Sequence, residues 1–187
     1  MNSRLLFVDT ETGGLDPNKY SLLSIGLVVW DSNDGVLFEK EMLIKHKEYH
    51  VSTSAQRINH FDLQIHEQTA IPSKTAIDVL YEIKDQFFDD KATIPLAGHN
   101  VSFDILFIRK FFQDNKRSFE KLFSHRSVDT YSIVRFLVDC RRLPESVNSS
   151  AKAFSHFGIT VQGRHTSLGD ARATAELYEK MTKLLTV

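Results

Sequence analysis

Two carboxylates stand two residues apart at the end of an apolar run: Asp9 and Glu11 follow Leu5-Leu6-Phe7-Val8. Along a β-strand, residues i and i+2 point to the same face, so both carboxylates would converge on one point. Like charges held that close repel each other, and a divalent cation that prefers oxygen ligands, such as Mg²⁺, would relieve the repulsion. The pair also suits a plain strand end, because Thr12-Gly13-Gly14-Leu15-Asp16-Pro17 is typical of a polar turn.

Two further carboxylates fall at the starts of predicted helices. Asp104 lies in a first turn directly after a short strand, and ligands gather at such strand ends in open α/β sheets. Asp170 lies on a mostly apolar helix face without Lys or Arg, so a metal ion would serve as the partner that a buried carboxylate needs. Simpler roles remain open: the helix dipole alone would stabilise Asp104, and Asp170 would complete a capping box with Ser167.

His165 lies in the loop five residues before Asp170. A lone histidine is usually a surface or core residue, but this one is placed to reach a metal-bound water and accept its proton. Four carboxylates from three elements, with a base beside them, fit two-metal phosphoryl transfer. In that chemistry, ions roughly 3.5–4 Å apart serve the attacking and the leaving oxygen.

The apolar patterns that must position these residues predict an α/β fold with a mixed sheet. Strands are predicted at residues 4–10, 22–30, 36–44 and 94–97, and residues 31–35 have the composition of a hairpin turn. Helices are predicted at residues 53–60, 73–88, 101–113, 129–140, 150–157 and 167–185. Asn100 is predicted to cap the third of these helices.

Length and composition set further bounds. The 187 residues, 42% of them apolar, suit a single domain that spans residues 1–187. No apolar run approaches the roughly 20 residues that cross a bilayer, and the N-terminus lacks a signal-peptide pattern. One cysteine, Cys140, fits a reducing compartment, so we expect a cytoplasmic protein with no membrane partner. The net charge of −1 argues against a broadly basic surface for nucleic acid.

Three segments resemble the three exonuclease motifs of the DEDDh superfamily. They are Asp9-Thr10-Glu11-Thr12-Gly13-Gly14-Leu15, His99-Asn100-x-x-Phe103-Asp104 and His165-x4-Asp170-Ala171. The superfamily includes the epsilon proofreading subunit of bacterial DNA polymerase III, RNase T and oligoribonuclease. Each motif alone has limited specificity, but the three together, in this order over nearly the whole chain, are highly specific. The resemblance implies an RNase H-like mixed sheet flanked by helices.

The same resemblance implies an activity and assigns residues to it. The activity is 3′→5′ hydrolysis that releases nucleoside 5′-monophosphates one at a time, with two Mg²⁺ or Mn²⁺ ions as cofactors. The metal-ligand positions are Asp9, Glu11, Asp104 and Asp170, and the general-base position is His165. The positions that hold the 3′-terminal nucleotides are Thr10, Thr12, Leu15, Asn100 and Phe103. Leu15 and Phe103 would form apolar platforms for any base, although Phe103 equally suits core packing.

The substrate class follows from smaller features. The turn Thr12-Gly13-Gly14-Leu15 stands where proofreading subunits have Thr-Thr-Gly and an apolar residue, and it differs from the oligoribonuclease form. A second departure, at residues 147–151, affects local packing alone. We expect 3′ ends of DNA as the substrate, with a polymerase or replication subunit as a candidate partner. An RNase T-type exoribonuclease and a non-cutting, polymerase-associated binding domain are the alternatives.

A weak basic cluster occurs in the second half of the chain: Arg109, Lys110, Lys116, Arg117, Lys121 and Arg126. It is diluted by Asp114 and Glu120, so it is more typical of a solvated face than of a nucleic-acid groove. The oligomeric state does not follow from any of these patterns.

Overall fold

The computed structural model describes residues 4–58 and 62–184, which contain six strands. The strands are β1 (Arg4–Thr12), β2 (Leu22–Asp31), β3 (Gly35–Lys45), β4 (Ile71–Pro72), β5 (Ile94–Gly98) and β6 (Phe123–Asp129). They form one sheet in the order β4-β3-β2-β1-β5-β6. The strands β1, β2 and β3 are antiparallel, whereas β5 is parallel to β1 and β6, and β4 is parallel to β3. The predicted α/β mixed sheet is confirmed.

Seven α-helices are described around this sheet. They are α1 (Thr53–Ile58), α2 (Leu63–Thr69), α3 (Ser73–Phe87), α4 (Ser102–Asp114), α5 (Thr130–Asp139), α6 (Ser150–His156) and α7 (Ser167–Lys183). A short 3₁₀ helix covers Phe119–Lys121. None of the helices within residues 4–58 and 62–184 has the length and apolar character that crossing a membrane requires.

The alternation of side chains along β1 sorts the core into two layers. Leu6 and Val8 pack on one face, in the cluster that contains the buried residues of α3 and α4. Leu5 and Phe7 pack on the other face, against Ala171 and Ala175 of α7 in the smaller of these two clusters. Because helices cover both faces, all ten residues of the central strand β2 are buried. Asp9 and Glu11 continue the Leu5–Phe7 series and therefore point to the α7 face.

Several short elements escape the sequence-based prediction, although the short helix α1 was predicted. The edge strand β6 has the sequence Phe-Ser-His-Arg-Ser-Val-Asp, which lacks apolar alternation because its middle is exposed. The helix predicted at residues 129–140 starts one residue later, since Asp129 ends β6 and caps α5 through the Tyr131 N–H. The helix α2 and the two-residue β4 were not predicted either. The predicted helix ends His60 and Leu185 lie outside the described residues.

The prediction that Asn100 caps α4 is wrong. Val101 occupies the cap position, and no side chain hydrogen-bonds to the first turn there. Asn100 instead adopts a left-handed conformation, with φ of 61°, and its N–H donates to the Asp129 carboxylate over 2.8 Å. Asparagine tolerates this conformation better than most residues. Its role at this position is therefore to form the turn between β5 and α4.

Candidate active site

Three carboxylates come together where β1 meets the first turn of α7. One carboxylate oxygen from each of Asp9, Glu11 and Asp170 lies within 4.8 Å of the other two. Asp9 and Glu11 are two residues apart on β1, and Asp170 follows the start of α7. The spacing on the strand therefore does bring two carboxylates to one point, and the helix packed on that face contributes the third.

A glycine in β2 allows α7 to approach the sheet this closely. Gly26 lies directly opposite Asp9 in the antiparallel register. A Cβ atom at Gly26 would stand 2.1 Å from the backbone carbonyl of Ser167, a separation that real Cβ atoms do not show. The helix α7 thus begins directly over Gly26, where β2 has no side chain, beside Asp9. This placement sets Asp170, in the first turn, against the β1 carboxylates.

Asp104 approaches the same region from the opposite face of the sheet. It lies in the first turn of α4, as predicted, and is 5% exposed. The Thr10 hydroxyl, between the two β1 carboxylates, donates a hydrogen bond to Asp104 Oδ1 over 2.7 Å. The charge of Asp104 raises the pKa of Asp9, so the two groups interact, although Asp104 is not part of the three-residue group. Three of the four predicted ligands are therefore grouped, and the fourth is held next to them.

Burial and mutual repulsion shift the titration of these groups. Burial raises the pKa of Asp9 well above its usual range, and repulsion from Asp104 and Asp170 raises it further. The pKa of Glu11 rises to about 8, again mainly through burial and then through Asp170. Burial raises the pKa of Asp104 to about 7, against the hydrogen bonds from Thr10 that lower it. An all-carboxylate donor set whose ionised form needs stabilisation fits a hard divalent cation.

A guanidinium group from the protein also meets this cluster. Arg164 Nη1 donates to Asp170 Oδ1 over 2.6 Å, and the guanidinium carbon lies 5.7 Å from the centre of the Phe154 ring. Its positive charge lowers the pKa of both Asp9 and Glu11. Asp170 therefore has a basic partner although no Lys or Arg shares its helix face, so a metal ion is not its only possible partner. The partner comes from the loop before α7, directly before His165 in the sequence.

His165 is exposed in the loop that leads into α7, with φ of 65°. It lines a cleft of about 280 Å³ together with Glu11, Ser24 and Glu41. His165, which precedes Asp170 by five residues in the sequence, therefore lies in the same cleft as Glu11 of β1. A second histidine in this cleft, His66, is buried, with one ring nitrogen 3.1 Å from the Ile44 carbonyl oxygen. No spacing in the sequence pointed to His66.

A larger cleft, of about 660 Å³, also borders Glu11 and contains four of the five predicted substrate-binding residues: Thr10, Thr12, Leu15 and Phe103. Leu15 is 84% exposed, whereas Phe103 is half-buried with its ring 5.1 Å from that of Phe107. Part of the lining comes from Ser52, Ser54, Ala55 and Ile58, in or just before α1, which no sequence pattern singled out. Asn100 is exposed and does not line this cleft.

Comparison with known proteins points to one family. The family model described as Exonuclease (RNase_T) matches residues 6–178. An oligoribonuclease from Corynebacterium glutamicum (strain R) is 26% identical over 141 residues, which are 71% of this chain and 61% of that protein. The DNA polymerase III subunit epsilon of Treponema pallidum is 26% identical over 173 residues, which are 92% of this chain and 74% of that protein.

Solved nuclease structures share the fold. Exonuclease I of E. coli, in complex with a dT13 oligonucleotide, has a TM-score of 0.80 at 19% identity, over 98% of this chain and 42% of that one. The nuclease domain of 3′hExo, a DEDDh family member bound to rAMP, has a TM-score of 0.74 at 13% identity, over 96% and 92% of the two chains. The chain therefore spans 61% of the oligoribonuclease and 42% of exonuclease I, and the predicted RNase H-like fold is confirmed. Since the family model covers residues 6–178, which include all three motifs, this chain belongs to the exonuclease family.

Proposed function

We propose that this protein is a metal-dependent exonuclease that hydrolyses phosphodiester bonds from the 3′ end of DNA. Single-stranded or frayed ends are its substrates, and nucleoside 5′-monophosphates are its products. The observation that carries the proposal is the convergence of Asp9, Glu11 and Asp170 within 4.8 Å, in a chain of the exonuclease family. Carboxylates held so close are suited to divalent cations, and the raised pKa values of Asp9 and Glu11 show that their ionised forms need stabilisation.

Each polar group at the site has a role in this reaction. Asp9, Glu11, Asp104 and Asp170 would hold two Mg²⁺ or Mn²⁺ ions, which supply Lewis-acid stabilisation of the phosphate and lower the pKa of water. His165 accepts the proton of the attacking water, because a neutral imidazole is a suitable base near neutral pH. Its position in the cleft that Glu11 lines supports this assignment.

The larger cleft is the proposed site for the 3′-terminal nucleotides. Leu15 and Phe103 offer apolar surfaces there, and bases of any sequence pack on such surfaces. The Thr10 and Thr12 hydroxyls hold the cleft in shape, since they donate to the Asp104 carboxylate and to the Gly14 carbonyl oxygen. We leave Asn100 out of the site, because it does not line the cleft and lies in the turn between β5 and α4, where its N–H donates to Asp129.

The choice between DNA and RNA rests on smaller signals. The turn Thr12-Gly13-Gly14-Leu15 and the epsilon relative favour DNA. A 3′→5′ exoribonuclease of the RNase T type is the second candidate, because a matched relative is named an oligoribonuclease. The likeness to epsilon also supports a polymerase subunit as partner. The single cysteine supports a cytoplasmic location.

Digestion of matched oligonucleotides tests the proposal. A 5′-labelled deoxy strand with Mg²⁺ or Mn²⁺ should shorten into a ladder, faster than the matching ribo strand, with nucleoside 5′-monophosphates as the released product. Asp9→Ala should abolish the ladder, whereas Asp78→Ala, at an exposed carboxylate on α3, should leave it unchanged. A ladder on the ribo strand alone would support the exoribonuclease. The absence of a ladder on both strands would overturn the proposal in favour of a non-cutting binding domain.

A further inference from the structure

The start of α7 rests on a chain of polar contacts that crosses β2 and β3. The Ser24 hydroxyl donates to the Ser167 hydroxyl over 2.9 Å, and the Ser167 hydroxyl donates to Glu41 Oε1, also over 2.9 Å. The backbone N–H of Leu168 donates to the same Glu41 oxygen over 3.3 Å. Ser24 and Ser167 are both buried, and Glu41 is half-buried. One carboxylate on β3 is therefore bonded twice to the first turn of α7.

The strand register explains why these contacts bear on the active site. Asp9 of β1, Gly26 of β2 and Glu41 of β3 lie directly opposite one another and so point to the same face of the sheet. The backbone of α7 at Ser167 and Leu168 lies over Gly26, the middle of this row. On the β1 side of Gly26, the first turn of α7 places Asp170 beside the β1 carboxylates. On the β3 side of Gly26, the same turn donates a hydrogen bond to Glu41.

The hydrogen bonds of Glu41 satisfy a requirement of every helix start. The first N–H groups of a helix have no partner within the helix. In α7 the Thr166 hydroxyl oxygen accepts from the Gly169 N–H over 3.1 Å, and Glu41 accepts from the Leu168 N–H. A carboxylate at this end also interacts favourably with the helix dipole.

The charge of Glu41, in contrast, works against the carboxylate cluster. It adds to the repulsion that raises the pKa of Glu11, so it disfavours the ionised form of that group. The benefit that we attribute to Glu41 is therefore the one that it brings through its contacts with the start of α7.

We propose that Glu41 and Ser167 are positioning residues for the exonuclease reaction. Their hydrogen bonds hold the first turn of α7 on the sheet, and this fixes Asp170 and the loop that carries His165 relative to Asp9 and Glu11. The inference rests on the proposed function. Neither Glu41 nor Ser167 lines the larger cleft, so the loss of their contacts should lower kcat far more than it changes KM.

Two substitutions of Glu41 separate its hydrogen bonds from its charge. Glu41→Ala removes both, whereas Glu41→Gln keeps a carbonyl oxygen that accepts the same two hydrogen bonds. Glu39→Ala is the matched control, because Glu39 is also half-buried on the same face of β3 and accepts from Arg172 of α7 over 2.7 Å, away from the first turn. The measurements are kcat and KM on an oligonucleotide, the Kd for Mn²⁺ by calorimetry, and thermal melting to show that each variant is folded.

The positioning role predicts a distinct pattern. Glu41→Ala should lower kcat by about 10- to 100-fold, because a displacement of about 1 Å has effects of that size, and KM should stay within about twofold. Glu41→Ala should also raise the Kd for Mn²⁺. In Glu41→Gln, kcat and the Kd for Mn²⁺ should both lie close to the wild-type values, and in Glu39→Ala they should equal them. If Glu41→Ala fails to fold, Ser167→Ala carries the test, with the same direction of effects.

Other outcomes would overturn the inference. If Glu41→Gln and Glu41→Ala lost kcat and Mn²⁺ affinity equally, the effect would come from the charge of Glu41. If Glu39→Ala lost as much as Glu41→Ala, the effect would come from general stability. A change in KM alone would also contradict it. If the wild-type protein cleaves no oligonucleotide, the proposed function fails, but the Mn²⁺ affinities of the same variants still decide whether Glu41 positions Asp170.

Discussion

Arg164 gives the carboxylate cluster a positive partner that belongs to the protein. It donates to Asp170 over 2.6 Å and lowers the pKa of Asp9 and Glu11, so it offsets part of the repulsion among the carboxylates. A divalent cation at the same place would compete with this guanidinium for the Asp170 oxygen. The ion pair therefore stabilises the metal-free protein and opposes metal binding at once.

Substitution of Arg164 should consequently tighten metal binding. We expect Arg164→Gln to lower the Kd for Mn²⁺ by roughly three- to tenfold, because a like charge next to the ion is removed. Calorimetric titration measures this, with Arg172→Gln as the control, since Arg172 pairs with Glu39 on the surface instead. Weaker Mn²⁺ binding in Arg164→Gln would mean that the arginine orients Asp170 more than it competes with the ion.

Glu11 predicts how the stability of the metal-free protein depends on pH. Its pKa rises from 4.5 to about 8 on folding, so the folded protein holds a proton that the unfolded chain releases. The contribution of Glu11 is therefore fully present below about pH 4.5 and is lost as the pH rises towards 8. Asp104, with its pKa raised to about 7, acts in the same direction.

Melting curves in EDTA test this dependence. Between roughly pH 5.5 and pH 8, the Tm of the wild type should fall more than that of Glu11→Gln, which has no proton to release at this position. Addition of Mn²⁺ should remove most of the difference between the two proteins. Parallel pH profiles for wild type and variant in EDTA would contradict the raised pKa of Glu11.

At the scale of elements, the site depends on how α7 packs against β2. The contact passes through Gly26, where a side chain would meet the backbone of Ser167 and Leu168. The packing of one helix on one strand thus sets the distance between Asp170 and the β1 pair. A change in this packing affects both stability and metal binding.

Gly26→Ala should therefore have a double effect. We expect a loss of about 1–3 kcal/mol or more in the free energy of unfolding, typical of overpacking, together with a clear rise in the Kd for Mn²⁺. Gly35→Ala provides the comparison, because Gly35, the first residue of β3, has φ of 73° and nothing within 4 Å of an added Cβ. It should lose about 1 kcal/mol through backbone strain and keep the wild-type Mn²⁺ affinity. Equal Mn²⁺ affinities in the two variants would show that metal binding does not depend on the packing of α7 against Gly26.

Elements with a strong apolar period were predictable, whereas several of those without it, such as α2, β4 and β6, were not. The strands β1, β2 and β3 and the helices α3, α4 and α7 lie within a few residues of their predicted bounds, because each buries a periodic set of side chains. The edge strand β6 is mostly polar and exists through its pairing with β5. Such pairing is a tertiary contact, which the local sequence does not encode.

At the scale of the whole molecule, two of the six residues of the basic cluster are paired with carboxylates. Arg109 pairs with Glu120 and Lys110 with Asp114, which favours the interpretation of the basic cluster as a solvated face. In the proposed function, the clefts beside the carboxylates are therefore the sites that hold nucleic acid. The exposed Leu15 is the apolar group best placed to contribute there.

Leu15→Ala isolates this contribution. Because Leu15 is 84% exposed, its truncation should leave the Tm unchanged. It should raise KM for an oligonucleotide about fivefold with little change in kcat, corresponding to about 1 kcal/mol of base contact. Phe136→Ala, at an exposed aromatic on α5 that lines neither cleft, should have no effect on KM. An unchanged KM in Leu15→Ala would remove Leu15 from the substrate site.

The sequence by itself predicted the candidate site residues: Asp9 and Glu11 through strand spacing, and Asp104, Asp170 and His165 through their places at or just before helix starts. These signals are local, since the two-residue period of a strand and the first turn of a helix depend on neighbouring residues. Only the tertiary structure decided that Arg164 faces the cluster, that α1 lines the larger cleft, and that Glu41 accepts hydrogen bonds from the start of α7. Ser167 and Glu41 are 126 residues apart in the chain, and the sheet register and the Gly26 gap are what bring them together.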